Sequence, residues 1–195
     1  MKNRNFFALI SRMKYINRWS LMRGSRGENL SEHSLEVAVI AHALVLLHNK
    51  RAGDSQNAER AAVLAVFHDA PEILTGDLPT PVKYYSEQVR AAYKTVEESA
   101  CQTILDMLPD ELRLDYEPYL IPQSQDESLW RFVKAADKIS ALIKCTEERK
   151  TGNAEFVKAA ESTLSAISAM ELPEADMFVR EFLPGYELTL DELKS

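Results

Sequence analysis

Five ionisable side chains in this 195-residue sequence stand in or beside stretches that otherwise read as buried helix. His68 and Asp69 are adjacent, at the end of the apolar run Leu64-Ala-Val-Phe67. Glu72 follows within a turn, just past Pro71; a proline pushes its preceding residue out of the α region, so the helix should end or kink there. His33 lies in the first turn of a second apolar stretch. Asp137 sits on the flank of a third, whose stripe is Leu129, Phe132, Val133, Ala136, Ile139 and Ile143. Buried charge is costly when unpaired, and a helical core has little reason to turn two imidazoles and two carboxylates inward unless they satisfy one another. A divalent cation is the economical common partner. Two nitrogens and two oxygens suit Mn²⁺, Co²⁺, Fe²⁺ or Zn²⁺, whereas Ca²⁺ prefers oxygen throughout. On a six-coordinate ion, four protein ligands leave room for water and a substrate oxygen, an arrangement for metal-assisted hydrolysis of a phosphoryl group. The residues alone leave Glu72 open as a further ligand or a proton carrier, and Asp137 open as a salt-bridge partner of Lys134 or Lys138.

Helices must position these groups, and helical periodicity supplies them. Residues 4–16 read as a short amphipathic helix with Phe6, Phe7, Ile10 and Met13 on one side. A loop rich in Gly, Arg and Ser follows. At its entrance Arg18-Trp19 is either plain packing, with arginine covering an apolar surface, or a clamp of guanidinium for phosphate and indole for a ring. Residues 31–49 form a central, nearly all-apolar helix with Ser31 as its N-cap. Its other histidines cannot join His33: His42 points to the opposite side, about 13 Å along the axis, and His48 lies farther still. Asn57 caps the helix that ends at His68-Asp69. The loop 75–83 (Thr-Gly-Asp-Leu-Pro-Thr-Pro-Val-Lys) is stiffened by two prolines that hold Asp77 and Thr80 in place, although an aspartate capping its own turn reads the same way. Helices follow over 86–108 and 110–116. A capping box, Ser124-Gln-Asp-Glu127, opens the helix that runs to about residue 150 and ends at Gly152. Residues 154–171, 173–182 and a last turn from Thr189 complete the chain. No repeat or linker divides it, so residues 1–195 read as one domain, an all-α bundle of about seven to nine helices.

Composition sets limits on function. The apolar fraction of 46% and charged fraction of 27% are those of an ordinary globular protein. A net charge of −7 argues against a nucleic-acid polymer as partner. Cys101 and Cys145 stand far apart with no C-x-x-C, which suggests reduced thiols in the cytoplasm. The apolar part of the N-terminus is too short for a signal sequence, and no uninterrupted apolar run has the length of a membrane span.

The order His33, His68-Asp69, Asp137, all on helices, resembles the HD-domain phosphohydrolase superfamily. Asn17-Arg18-Trp19, Ser31-Glu32-His33-Ser34, His68-Asp69-Ala-Pro-Glu72, Thr75-Gly-Asp77-Leu-Pro-Thr-Pro-Val-Lys83 and Lys134-Ala-Ala-Asp137 resemble, more narrowly, the bacterial 5′-deoxynucleotidases of the YfbR type, over nearly the whole chain. Pro71 departs from the small polar residue expected there. The resemblance implies an HD-type helical bundle that hydrolyses 2′-deoxyribonucleoside 5′-monophosphates. His33, His68, Asp69 and Asp137 would hold one divalent transition metal ion, Co or Mn, with Zn, Fe or Cu as alternatives. Glu72 would be the general acid/base, and Arg18 would orient the phosphate. Trp19 would pack on the sugar and help reject a 2′-hydroxyl, Asp77, Leu78, Pro79 and Thr80 would line the sugar side, and His33 and Asp69 would also meet the substrate. The resemblance further implies a homodimer. Two rivals stand beside it: another HD phosphohydrolase, acting on nucleoside triphosphates or alarmones, and a non-catalytic nucleotide sensor.

Overall fold

The computed structural model describes residues 4–83 and 85–194, and Thr80 by its backbone alone. The helices are α1 (Phe6–Ile10), α2 (Leu30–Ala52), α3 (Ala58–Phe67), α4 (Glu72–Thr75), α5 (Thr80–Lys83), α6 (Glu87–Leu105), α7 (Asp110–Leu120), α8 (Glu127–Lys150), α9 (Val157–Ser168) and α10 (Pro173–Glu181), with short 3₁₀ turns between them. Among the described residues the one strand-like feature is an antiparallel bridge between Asn17 and Asn29. The all-α expectation holds.

The core forms where α2 packs on α3 and α8, and α8 in turn on α9. Leu44, Leu64, Phe132, Ile139, Ile143 and Phe156 are essentially inaccessible there. Burying each such side chain stabilises the fold by about 1.5–3 kcal/mol before entropy is charged against it. α2 is apolar almost all round, because neighbours cover several of its faces. By length and hydropathy it could cross a membrane, although polar residues interrupt its apolar run; here it is the central helix, half buried among α3, α8 and α10.

One ion pair sets the relation between two site-bearing helices. Arg60 of α3 grips Asp126, at the threshold of α8, through Nε and Nη2, and Asp126 is 1% exposed. This corrects the expected capping box: Asp126, not Ser124, is the N-cap residue and its carboxylate is committed to Arg60, so no side-chain cap bond forms. Other boundaries shift for equally local reasons. The expected helix 4–16 breaks into α1 and a 3₁₀ turn, Ser11–Tyr15, which brings Met13 against Leu30 and Ile73. Asn29 rather than Ser31 caps α2, accepting from the amides of Ser31 and Glu32 at 3.0 and 3.1 Å. Its extended backbone serves both the cap and the bridge to Asn17. α6 stops at Leu105, α7 runs on through Pro118 to Leu120, and the stiff loop 75–83 contains a helical turn, α5.

Candidate active site

His33, on the first turn of α2, and His68-Asp69, at the end of α3, come together at one point. A ligand atom from each lies within 4.8 Å of the others. Asp69 Oδ2 is the hub, 3.2 Å from His68 Nε2 and 3.5 Å from His33 Nε2. Asp137 arrives from α8, its Oδ1 3.2 Å from His33 Nε2; its carboxylate thus meets the histidine, not a lysine of its own helix. The other nitrogen of each ring is occupied. His68 Nδ1 lies 2.7 Å from the carbonyl of Ala65 and so must donate to it. His33 Nδ1 lies 2.9 Å from Ser140 Oγ, whose hydroxyl donates onward to Glu36 Oε2 at 2.6 Å. Both rings therefore turn Nε2 toward Asp69, and both Nε2 atoms are buried without a hydrogen-bond partner. Unpartnered imidazole nitrogens beside two carboxylates are the donor set a borderline divalent ion takes, so the residues present fit a metal.

The electrostatics agree. Burial opposes ionisation of Asp69, yet His68 and His33 hold its carboxyl well below the ordinary range. Asp137 is lowered against the same burial cost by its contact with His33. Burial likewise opposes charge on His68, but Asp69 more than compensates and raises the ring to about 9. The site is thus built to hold positive charge at Nε2, as a proton or as a cation that displaces it.

Ser140 and Glu36 were not singled out from the sequence. Each lies three residues beyond a proposed ligand on the same helix, Ser140 after Asp137 and Glu36 after His33, so each shares that ligand's face. That offset is the signal that could have found them. Such outer partners fix ring orientation and tautomer. Ser140→Ala should weaken metal binding about 10–100-fold with little change in Tm; competition against a chromogenic chelator measures it.

Arg18 and Trp19 stand beside the cluster. Arg18 Nη1 is 3.3 Å from Asp69 Oδ2. Trp19 leans on Phe156, ring centroids 5.4 Å apart, with its backbone in the left-handed region at φ 60°. Their loop is closed by the Asn17–Asn29 bridge and tied to α8 by Glu148, which accepts from the amide of Ser25 at 2.7 Å. Beyond Arg18 opens a cavity of about 700 Å³ walled by Trp19, Met22, Asp77, Pro79, Asp137 and Lys138, among others. Asp77 and Pro79 of the expected sugar-side segment reach this wall. Leu78 is half-buried beside it, and the Thr80 side chain lies outside what is described. A larger apolar groove of about 1020 Å³, between α2, α8 and α10, holds none of these groups.

Pro71 is the N-cap of the short turn α4, in a helical conformation at φ −56°, ahead of the first turn, where its missing N–H takes no bond from the helix. Glu72 is therefore carried on an ordered turn and is 7% exposed. Burial, reinforced by the charges of Asp69 and Asp77, pushes its pKa up to about 9. Its Oε2 is buried without a hydrogen-bond partner.

This architecture, with its imidazoles and carboxylates brought together from three helices, is that of the HD-domain phosphohydrolases. It superposes on one from Listeria innocua with a TM-score of 0.80 and 25% identity, covering 98% of this chain and 92% of that one. The cyanophage S-2L HD phosphohydrolase, solved bound to dA and one catalytic Zn²⁺ ion, shares the fold at a TM-score of 0.64 and 17% identity, over 91% of this chain and 96% of that one. Within this class the chain belongs to the YfbR-like 5′-deoxynucleotidase family, which matches residues 5–186. The 5′-deoxynucleotidase of Vibrio vulnificus is 49% identical over 193 residues, 99% of this chain and 100% of that one.

Proposed function

We infer that this protein is a metal-dependent phosphomonoesterase that hydrolyses 2′-deoxyribonucleoside 5′-monophosphates to deoxynucleoside and phosphate and selects against ribonucleotides. The observation that carries this reading is the pair of buried, unpartnered Nε2 atoms converging on Asp69 beside a cavity that Arg18 and Trp19 enter. Its placement in a 5′-deoxynucleotidase family supports the substrate class. His33, His68, Asp69 and Asp137 hold one divalent ion, Co²⁺ or Mn²⁺ in preference to Zn, Fe or Cu. When bound, that ion supplies a Lewis acid for a phosphoryl oxygen and acidifies water. Arg18, with its guanidinium half committed to Asp69, orients the phosphate. Burial, with the charges of Asp69 and Asp77, raises the Glu72 carboxyl above the ordinary glutamate range, and in the reaction that carboxyl would give a proton to the leaving 5′-oxygen. In that step the P–O5′ bond breaks, water oxygen forms the new P–O bond, and the proton shed by water restores Glu72. Trp19 packs on the deoxyribose, and His33, Asp69 and residues 77–80 complete the pocket.

The same reading takes residues 1–195 as one domain working in the cytoplasm as a homodimer, on small nucleotides rather than nucleic acid or membrane. The acidic net charge and two buried thiols pushed up to about 11, mainly by burial, are consistent with it. Product analysis with deoxy- and ribonucleoside monophosphates and a deoxynucleoside triphosphate tests the reaction class. Cleavage of the deoxy monophosphates alone is expected. Cleavage of the triphosphate alone would assign a different HD phosphohydrolase, and nucleotide binding without cleavage would make the protein a sensor.

Trp19→Ala should narrow the deoxy/ribo ratio of kcat/KM by about 10–100-fold, the range a shape-based pocket commands. An unchanged ratio would leave Trp19 a packing residue on Phe156.

A further inference from the structure

We propose that Glu28 is the positioning residue of the nucleotide clamp: one carboxylate fixes both the Arg18 guanidinium and the Trp19 indole. This assignment rests on the substrate reading above. Three contacts support it. Glu28 Oε1 lies 3.2 Å from Arg18 Nε, with both side chains about nine-tenths buried. Glu28 Oε2 accepts from Trp19 Nε1 at 2.9 Å. Its backbone carbonyl accepts from the Arg18 amide at 2.9 Å. The two carboxylate oxygens thus divide the clamp between them, one to each clamp residue.

The backbone explains why such a tether is needed. Trp19 sits at φ 60°, a region that a bulky residue with a Cβ enters only under constraint from its surroundings. The loop is closed at its base by the Asn17–Asn29 bridge and by Leu30 N donating to Ile16 O at 3.0 Å. Glu28 sits next to that base, on the segment facing Arg18, so its side chain reaches the two residues that the turn presents to the cavity. Arginine has a forked donor set: Nη1 donates to Asp69 at 3.3 Å, while Nε stands within ion-pair distance of Glu28 without a hydrogen bond, so the guanidinium is held by a hydrogen bond on one side and by the Glu28 charge on the other. The indole has a single N–H, and Glu28 takes it, which sets the ring's rotation over Phe156. Glu28 Oε1 also stands 3.5 Å from His33 Nδ1. That nitrogen already has Ser140 at 2.9 Å, so the metal ligand does not depend on Glu28.

Glu28→Gln and Glu28→Ala separate the possibilities. Glutamine keeps one acceptor for the indole but presents an amide to Arg18 and loses the charge. Glu28→Gln should raise KM for deoxyadenosine 5′-monophosphate about tenfold with kcat and the deoxy/ribo ratio nearly kept. Glu28→Ala should raise KM similarly and also narrow the ratio about tenfold, because the indole is released. In a Trp19→Phe background, whose ring has no N–H to hold, Glu28→Ala should narrow the ratio no further. Metal affinity by chelator competition should stay within about threefold in every variant. A fall in Tm with KM and ratio unchanged would reduce Glu28 to a structural residue and overturn the assignment. Equal narrowing in the wild-type and Trp19→Phe backgrounds would overturn it too, as would a loss of metal affinity, which would mean that Glu28 acts through His33. If the wild-type protein cleaves no monophosphate, the substrate reading itself fails, an outcome separate from wild-type turnover that Glu28→Ala leaves intact.

Discussion

Glu72→Gln should lower kcat for a deoxynucleoside monophosphate by about 10²–10⁴-fold while bound metal stays at the wild-type level. The amide matches the carboxyl in shape but can neither give nor take the proton. Glu72 is buried, and burial is the main cause of its raised pKa, with the charges of Asp69 and Asp77 adding to it. Loss of metal alongside activity would make Glu72 a ligand instead of a proton carrier. The same substitution has a stability signature in the chelated protein. The folded pKa of Glu72 lies near 9, above that of an unfolded glutamate near 4.3. The folded state therefore holds a proton that the unfolded state has lost, and stability falls as pH rises between about 4 and 9. Glu72→Gln removes that decline, so the Tm of the metal-free variant should exceed wild type by a margin that widens from pH 5 to pH 9. Thermal melts across that range measure it.

Asp69→Asn should cost more than about 100-fold in metal affinity and abolish turnover. Its Oδ2 is the atom that His33, His68 and Arg18 all face, at 3.5, 3.2 and 3.3 Å. An amide there removes the charge and leaves buried cations and orphaned nitrogens behind it. Metal analysis of the purified variant and calorimetric titration with Co²⁺ check the first effect. In metal-free protein the loss is also pH-dependent. His68 is raised to about 9 by Asp69, against an unfolded value near 6.5. The stability from that pair is fully present below about 6.5 and is lost as pH climbs toward 9. Asp69→Asn should therefore destabilise the chelated protein most at pH 6 and least at pH 9. A uniform loss across that range would mean that the pair is not what stabilises the metal-free site.

The four proposed ligands were legible in the sequence because helices make them so. An ionisable group on an otherwise apolar helical face is conspicuous, and the periodicity of α2, α3 and α8 fixes which face that is. His42 and His48 could be set aside by the same geometry, and His48 indeed spends its Nδ1 on Glu174 at 3.0 Å, far from the cluster. The outer partners were harder to see. Ser140 and Glu36 share faces with ligands, yet a serine and a glutamate on a helix usually face water, and only the closure of α2 on α8 brings Ser140 to the His33 ring nitrogen and to Glu36 behind it. Glu28 was beyond reach, since its position depends on a loop whose shape no periodicity encodes. The capping box at Ser124 failed because residues 124–126 form a 3₁₀ turn and the helix begins only at Glu127, where the N-cap Asp126 gives its carboxylate to Arg60. Local pattern located the helices; at the start of α8 a long-range partner for the N-cap carboxylate displaced the local cap.

The most direct test is phosphate release from deoxyadenosine 5′-monophosphate and from its ribonucleotide counterpart, measured on chelated protein as Co²⁺ or Mn²⁺ is added back against protein concentration. The predicted result is no release without metal, a rise with the deoxynucleotide that saturates at one ion per chain, and a ribonucleotide rate that stays near baseline throughout. Release that survives chelation, or equal rates on the two nucleotides at saturating metal, would contradict a metal-dependent deoxynucleotidase built on His33, His68, Asp69 and Asp137.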